Sequence, residues 1–449
     1  MWSRMTLLYA YVLLFGTLAS AVLVRVAIRM ALRWGVVDRP GFQKLHRHAK
    51  PLLGGVAIYG AFVLTTWLHT VLGLLVPHSP WLQGFLPLQV VKAVEGFQAV
   101  VPQLLVICMG GLCFFFMGLL DDLRGGIPVR VRFLSQTAVA AAVVFLADAR
   151  LDLPFLPVWL SAVVSVFWLV GLANALNMLD GLDGLAGGVT FIISGLLAAI
   201  LIVTGQPIAA FLPIALAGAV AGFLLHNLPP ARIFMGSAGS LFIGYALAVS
   251  VLYASLTTAG ASPLFPYLMP VLLMAVPLFD ALTVMGSRAL RGASIFGRDN
   301  YHIHHRLLLL GFSRKQTVAF IWLLTLASGL AAVPLLTARS VVCVMLCALT
   351  ATLFAIVALM YRVRRREETG QFLLRREEVA ADGRGLLVSQ YLVHDHGALT
   401  HVETLVEDYG GRYEEGSSRT VARAACPPEQ AEETWRKMLG DAERLVAGG

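Results

Sequence analysis

A helix needs roughly 20 apolar residues to cross the roughly 30 Å hydrocarbon core of a bilayer, and runs of that kind recur in this chain from its first residues to about residue 361. Lipid offers a backbone no water to bond to, so each run is expected to be an α-helix. We read about eleven, over residues 6–28, 53–76, 102–120, 133–149, 156–174, 187–204, 207–225, 238–257, 266–286, 317–336 and 340–361. The first is long, lacks a small-residue cleavage site and runs into Arg25, Arg29 and Arg33, which marks a retained helix rather than a signal peptide. A composition 58% hydrophobic and 13% charged excludes a soluble globular protein. The expected fold is an all-α polytopic membrane protein with a small α+β cytoplasmic C-terminal domain.

The net charge of +8 is spread unevenly, and Lys and Arg concentrate in alternate loops. Arg29, Arg33, Arg39, Lys44, Arg47 and Lys50 follow the first run, Arg124, Arg130 and Arg132 the third, Arg288 to Lys315 the ninth, and Arg362 to Arg366 the last. By the positive-inside rule these loops face the cytoplasm, with the N-terminus outside and the C-terminus inside. Topology and anionic lipid headgroups account for the basic residues, and no nucleic-acid partner is expected. The five cysteines show no disulfide framework or zinc spacing. No internal repeat of the kind many transporters carry is visible.

Beyond the membrane domain, residues 1–361, the composition turns polar, and residues 367–449 read as a separate soluble domain. Apolar alternation predicts strands over 385–393 and 419–426, a short helix over 401–410 and a terminal helix from Pro427. His394, His396 and His401 read as solvated loop residues, and no site is assigned to them.

Charge at the ends of apolar helices is expensive and needs a reason. In GLLDDLRGG, adjacent Asp121 and Asp122 suit metal association or general-base work, unless they are two solvated aspartates before a Gly-Gly turn. In NALNMLDGLDGLAGG, Asn174, Asn177, Asp180 and Asp183 recur at three-residue steps on one side of a helical turn. They supply the oxygen ligands a hard cation such as Mg²⁺ prefers. The stretch from Ser287 to Gly311 holds His302, His304, His305 and Arg306, side chains suited to phosphate oxygens. Its His-x-His-His could instead bind a transition metal. RIFMGSAGSLFIGY reads on its own as a small-residue helix-packing segment. All four fall in alternate loops, so one composite cytoplasmic-face site for a phosphorylated, Mg²⁺-accompanied substrate is the simplest reading.

These residues resemble the polyprenyl-phosphate N-acetylhexosamine-1-phosphate transferases over residues 36 to about 316. The likeness is carried by VVDRPGFQKLHRHAKPLLGG, GLLDDLRGG, RFLSQ from Arg132, NALNMLDGLDGLAGG, VPLFDALTV with Asp280, and DNYHIHHRLLLLGFS. The HIHHR form resembles the N-acetylglucosamine branch. What the resemblance implies is transfer of a sugar 1-phosphate from a UDP-sugar to a polyprenyl phosphate in a bacterial plasma membrane, with release of UMP. Asp121 and Asp122 would orient or deprotonate the lipid phosphate, Asn177 would ligate Mg²⁺ (or Mn²⁺), and Asp180 and Asp183 would shape the nucleotide and metal site. Asn174 would join the substrate side, where Arg132, His302, His304, His305 and Arg306, with Lys44 and His46, would hold phosphates. The family has Gly-Asp where this chain reads Gly236-Ser237, and that aspartate is expected to ligate the metal. Ser237 is a weak hard-cation ligand, so a less active paralogue serving as a scaffold is an alternative, as is a transporter. A homodimer is one admissible assembly.

Overall fold

Helices dominate because the apolar runs leave the backbone no other way to satisfy its N–H and C=O groups in lipid. The computed structural model describes residues 2–38, 49–86, 91, 97–151, 156–254, 261, 264–290, 302–310, 312–337, 342, 344, 351 and 354, and strand backbone over 370–379, 385–394, 398–409 and 412–425. In chain order the helices are α1 (Trp2–Trp34), α2 (Gly54–Leu75), the short α3 (Pro80–Phe85), α4 (Val101–Arg124), α5 (Val129–Leu146), α6 (Val158–Leu179) and α7 (Leu185–Val203). They continue as α8 (Pro207–Asn227), α9 (Gly236–Tyr253), α10 (Phe265–Leu273), α11 (Ala275–Leu290), α12 (Ile303–Leu309) and α13 (Arg314–Leu330). Among the described residues nine helices are long and apolar enough to cross a membrane. A tenth span forms if α10 and α11, bent by 74° at Met274, count as one. The run expected as one span over 266–286 is therefore two helices, and Pro277, which has no N–H to bond Leu273 O, accounts for the break at Met274. The run expected over 340–361 lies almost wholly outside the described residues.

Helix α9 is the centre of the bundle. From Ala238 to Leu252 every residue is buried, and the helix packs against α2, α4, α6, α7 and α8. Lipid tails are as apolar as leucine, so helices in a bilayer associate by close packing rather than by hydrophobic exclusion, and small residues at the contacts permit it. Gly239 abuts Gly55 of α2, Gly118 of α4 meets the backbone of Ser237, and a Cβ on Gly244 would come within 2.7 Å of Ala173 in α6. On the outside, Leu14, Leu18, Phe145, Trp159 and Phe167 are exposed, as a lipid-facing surface requires.

A two-residue antiparallel pair, β1 (Val37–Asp38) with β2 (Lys50–Pro51), lies between α1 and α2. From β2 the chain ties down the segment between α8 and α9. Phe234 N–H donates to Pro51 O at 2.8 Å, and Gly54 and Gly55, whose N–H groups would be orphaned at the start of α2, donate to Phe234 O and Met235 O at 3.0 and 2.8 Å. The start of α9 is thus fixed before any side chain of the site is considered.

Contacts divide the chain into two compact units, the helical one ending at Ile356. The second holds β3 (Gly370–Val379), β4 (Gly385–His394), β5 (Ala398–Tyr409) and β6 (Arg412–Ala425), an antiparallel sheet in sequential order. The strands expected at 385–393 and 419–426 are present. The helix expected over 401–410 is instead most of β5, which pairs with β4 along one edge and β6 along the other. Apolar Val402, Leu405 and Val406 have helical spacing, but two-sided strand pairing overrides that local preference. The helix expected from Pro427 lies outside the described residues.

Candidate active site

Three helix ends meet around the carboxylates. Helix α4 closes at Gly125, whose φ of +70° is a left-handed conformation that costs glycine least. Gly125 and Gly126 N–H groups cap Asp121 O, and Ile127 N–H donates to Asp121 Oδ1 at 2.8 Å. The next carboxylate turns toward α9: Asp122 Oδ1 and Oδ2 accept the N–H groups of Ser237 and Ala238 at 2.8 and 3.0 Å. These are first-turn donors that the helix cannot satisfy itself, and a negative charge there also suits the helix dipole. Ser237 Oγ donates to Asp121 Oδ2 at 2.9 Å, and Arg132 Nη1 lies 3.7 Å from the same oxygen. Gly236, at φ +72°, leaves the space that Asp122 occupies.

The second part follows α6. Asn177 Nδ2 donates to Ser240 Oγ on α9 at 2.8 Å, which leaves its amide oxygen as an acceptor. One turn deeper, Asn174 Nδ2 is bonded to Gln136 Oε1 of α5 at 2.7 Å and to Val170 O. Its described contacts are therefore one bond to α5 and one within α6. Just past α6, burial and the nearby charges of Asp122 and Asp183 push the Asp180 carboxyl up to about 7. Asp183 Oδ2 accepts Ala231 N–H at 2.9 Å, and Lys50 Nζ donates to Ala231 O at 2.5 Å. Asn227 completes this wall by accepting Gly184 N–H at 2.9 Å and donating to Ile233 O at 2.8 Å.

Histidines form the third part. His304 is packed on Gly181, where any side chain would collide with its ring. Its ring lies parallel to that of His302 at a centroid distance of 5.6 Å, and His305 stands 4.2 Å from His304. Burial, then the neighbouring His305 and His302, hold the His304 pKa well below the usual imidazole range, so it is neutral, and its buried Nδ1 has no partner among the described residues. His302 Nδ1 bonds Asp280 Oδ2 at 2.9 Å, and Arg306 is buried on the same short helix. Lys44 and His46 lie outside the described residues.

The fold thus connects Asp121, Asp122, Arg132, Asn177, Asp180, Asp183, Ser237, His302 and His304 through a continuous set of contacts, although 183 positions separate the ends of that series. Asn227 and Ser240 enter it without a sequence signal, since a lone Asn or Ser is uninformative until its partner is known, whereas Lys50 had a signal as part of VVDRPGFQKLHRHAKPLLGG. Gln136 had one, as the last residue of RFLSQ.

Among the described residues no three His, Cys, Asp or Glu side chains converge as a ready-made metal cage. Mg²⁺ does not require one, since it binds through one or two carboxylates together with waters and substrate phosphates. The free amide oxygen of Asn177 and the uncompensated Asp180, with other carboxylates close by, are a donor set of that kind.

A membrane-embedded bundle with a carboxylate, amide and imidazole site at helix ends defines a class of lipid-linked transferases, and comparison with known proteins agrees. Residues 104–255 match the model of glycosyl transferase family 4. The chain is 30% identical over 332 residues, 71% of its length and 82% of the relative's, to a probable undecaprenyl-phosphate N-acetylglucosaminyl 1-phosphate transferase of Bacillus subtilis. It is 31% identical to the Yersinia pestis undecaprenyl-phosphate alpha-N-acetylglucosaminyl 1-phosphate transferase, over 71% of this chain and 81% of that one. It is likewise 31% identical to a decaprenyl-phosphate N-acetylglucosaminephosphotransferase of Mycobacterium tuberculosis, over 66% and 74%. The chain belongs to the polyprenyl-phosphate N-acetylhexosamine-1-phosphate transferase family.

Proposed function

We propose that the chain transfers N-acetylglucosamine 1-phosphate from UDP-N-acetylglucosamine to a polyprenyl phosphate, releasing UMP, as the first step of a lipid-linked envelope glycan. The observation that carries this reading is the convergence of five carboxylate and amide side chains, Asp121, Asp122, Asn177, Asp180 and Asp183, with the His302–His304 array at helix ends. A lipid-borne acceptor and a water-borne nucleotide can meet only at such a boundary. The basic loops favour the cytoplasmic face of a bacterial plasma membrane for it.

In the reaction a phosphate oxygen of the lipid bonds to the β-phosphorus of the sugar nucleotide, the bond from that phosphorus to the bridging oxygen breaks, and the electron pair leaves with UMP. Such transfers depend on positioning and on neutralising charge. Asn177 and Asp180 would hold Mg²⁺, which supplies charge neutralisation on the pyrophosphate. Arg132, His302 and Arg306 bind phosphate oxygens. Asp121 and Asp122, tied to the start of α9, set where the lipid phosphate stands.

Ser237 qualifies the reading, because a hydroxyl bonded to Asp121 stands where relatives are expected to carry an aspartate. That favours a second reading, a less active paralogue retained as a membrane scaffold. Transfer is tested by mass spectrometry of lipid-linked product from membranes given UDP-N-acetylglucosamine and labelled polyprenyl phosphate, over a magnesium titration. Product in the native chain, lost in Asp180→Asn, is expected. Ser237→Asp should lower the magnesium needed for half-maximal rate by about tenfold, as one added carboxylate ligand would. Absence of product in the native chain with recovery in Ser237→Asp would establish the scaffold reading instead.

A further inference from the structure

Asp280 sits on α11, inside a bent pair apolar enough to cross a membrane, and is completely buried. An ionised side chain in that setting is costly unless donors surround it, and by default it marks function. Two donors do: Ile303 N–H, an orphan of the first turn of α12, reaches Oδ1 at 2.6 Å, and His302 Nδ1 reaches Oδ2 at 2.9 Å. An ionised carboxylate only accepts, so Nδ1 must carry a proton and Nε2 becomes the ring atom left to meet a ligand. His304, beside it, lacks a partner at Nδ1 among the described residues, so His302 is the histidine of this parallel pair whose ring is held by a carboxylate.

We propose that Asp280 is a positioning residue that fixes the orientation and tautomer of His302, so that Nε2 faces a substrate phosphate. The inference rests on the transferase reading above and extends it to a group 22 residues before the histidine it serves. The phosphate is that of the sugar nucleotide or that of the lipid, and separate kinetic constants distinguish them.

The test uses the full chain in detergent with UDP-N-acetylglucosamine and polyprenyl phosphate as probes, and compares Asp280→Asn, His302→Gln and the double variant. Asparagine keeps the size and one acceptor oxygen but removes the charge. It should raise the KM for one of the two substrates by on the order of 10- to 100-fold, and the substrate affected identifies the phosphate. In the His302→Gln background, where no imidazole remains to be oriented, the same change should add less than about twofold. Effects that multiply in the double variant would overturn the inference. So would an Asp280→Asn chain with a lower melting temperature but unchanged constants per folded molecule, which would leave Asp280 a cap of α12. Equilibrium binding of each probe is measured in parallel. Binding that depends on Asp280 in a native chain that makes no product would refute transfer while supporting the pairing, whereas binding indifferent to Asp280 would refute the pairing alone.

Discussion

The carboxylate wall and the histidine array satisfy their buried polar groups in opposite ways. In the wall, Asp121, Asp122 and Asp183 take backbone N–H groups from Ile127, Ser237, Ala238 and Ala231. These donors are fixed by helix ends and cannot change rotamer. In the histidine array the bond between His302 and Asp280 joins two side chains, and His304 leaves a ring nitrogen with no partner among the described residues. The first arrangement binds geometry to fold stability. The second is held by fewer and more adjustable contacts, so its failures should appear in rate before they appear in folding.

The sharpest way to break that contrast is Asp122→Ala. It strands two first-turn donors of α9 and should lower stability by about 2–4 kcal/mol, seen as a lower melting temperature of the detergent-purified protein, together with loss of transfer. Next comes pH. Because Asp180 rises from an ordinary 3.8 to about 7, the folded chain holds that proton more tightly than the unfolded one. Stability present at low pH is therefore lost as pH climbs through that window, by on the order of 2 kcal/mol between pH 5 and 7 without metal. Thermal melts across the window should show the decline, Mg²⁺ should offset it at the upper end, and Asp180→Asn should flatten it. The smallest effect on folding is expected from Gly181→Ala, which pushes His304 off the wall. A loss of transfer of about tenfold or more with a change in stability under about 1 kcal/mol would fit the loosely held array, whereas unfolding would show that the array too carries the fold.

The amino-acid pattern makes much of this site visible, and the reasons for the exceptions are physical. Helices in lipid are dictated by local composition, and a charge beside them is costly, so Asp121, Asp122, Asn177, Asp180 and Asp183 stand out against an apolar background. Ser240 and Asn227 do not, because their significance lies in through-space partners 63 and 43 residues away. Asp280 was visible as part of a motif, but its pairing with His302 was not. Strand β5 shows the limit of local pattern from the other side, since its spacing favours a helix and only the neighbouring strands decide otherwise.

The burial of α9 also bears on how the protein can move. A rod enclosed by five neighbours, with glycine at its tightest contacts, has little room to tilt or slide. Under the proposed transfer, the opening for a lipid acceptor and a nucleotide is expected at the bent pair α10–α11 and the short α12 rather than at α9. Their bend supplies the kind of hinge the central helix cannot, and compounds that wedge against that side should arrest the cycle even without touching a carboxylate.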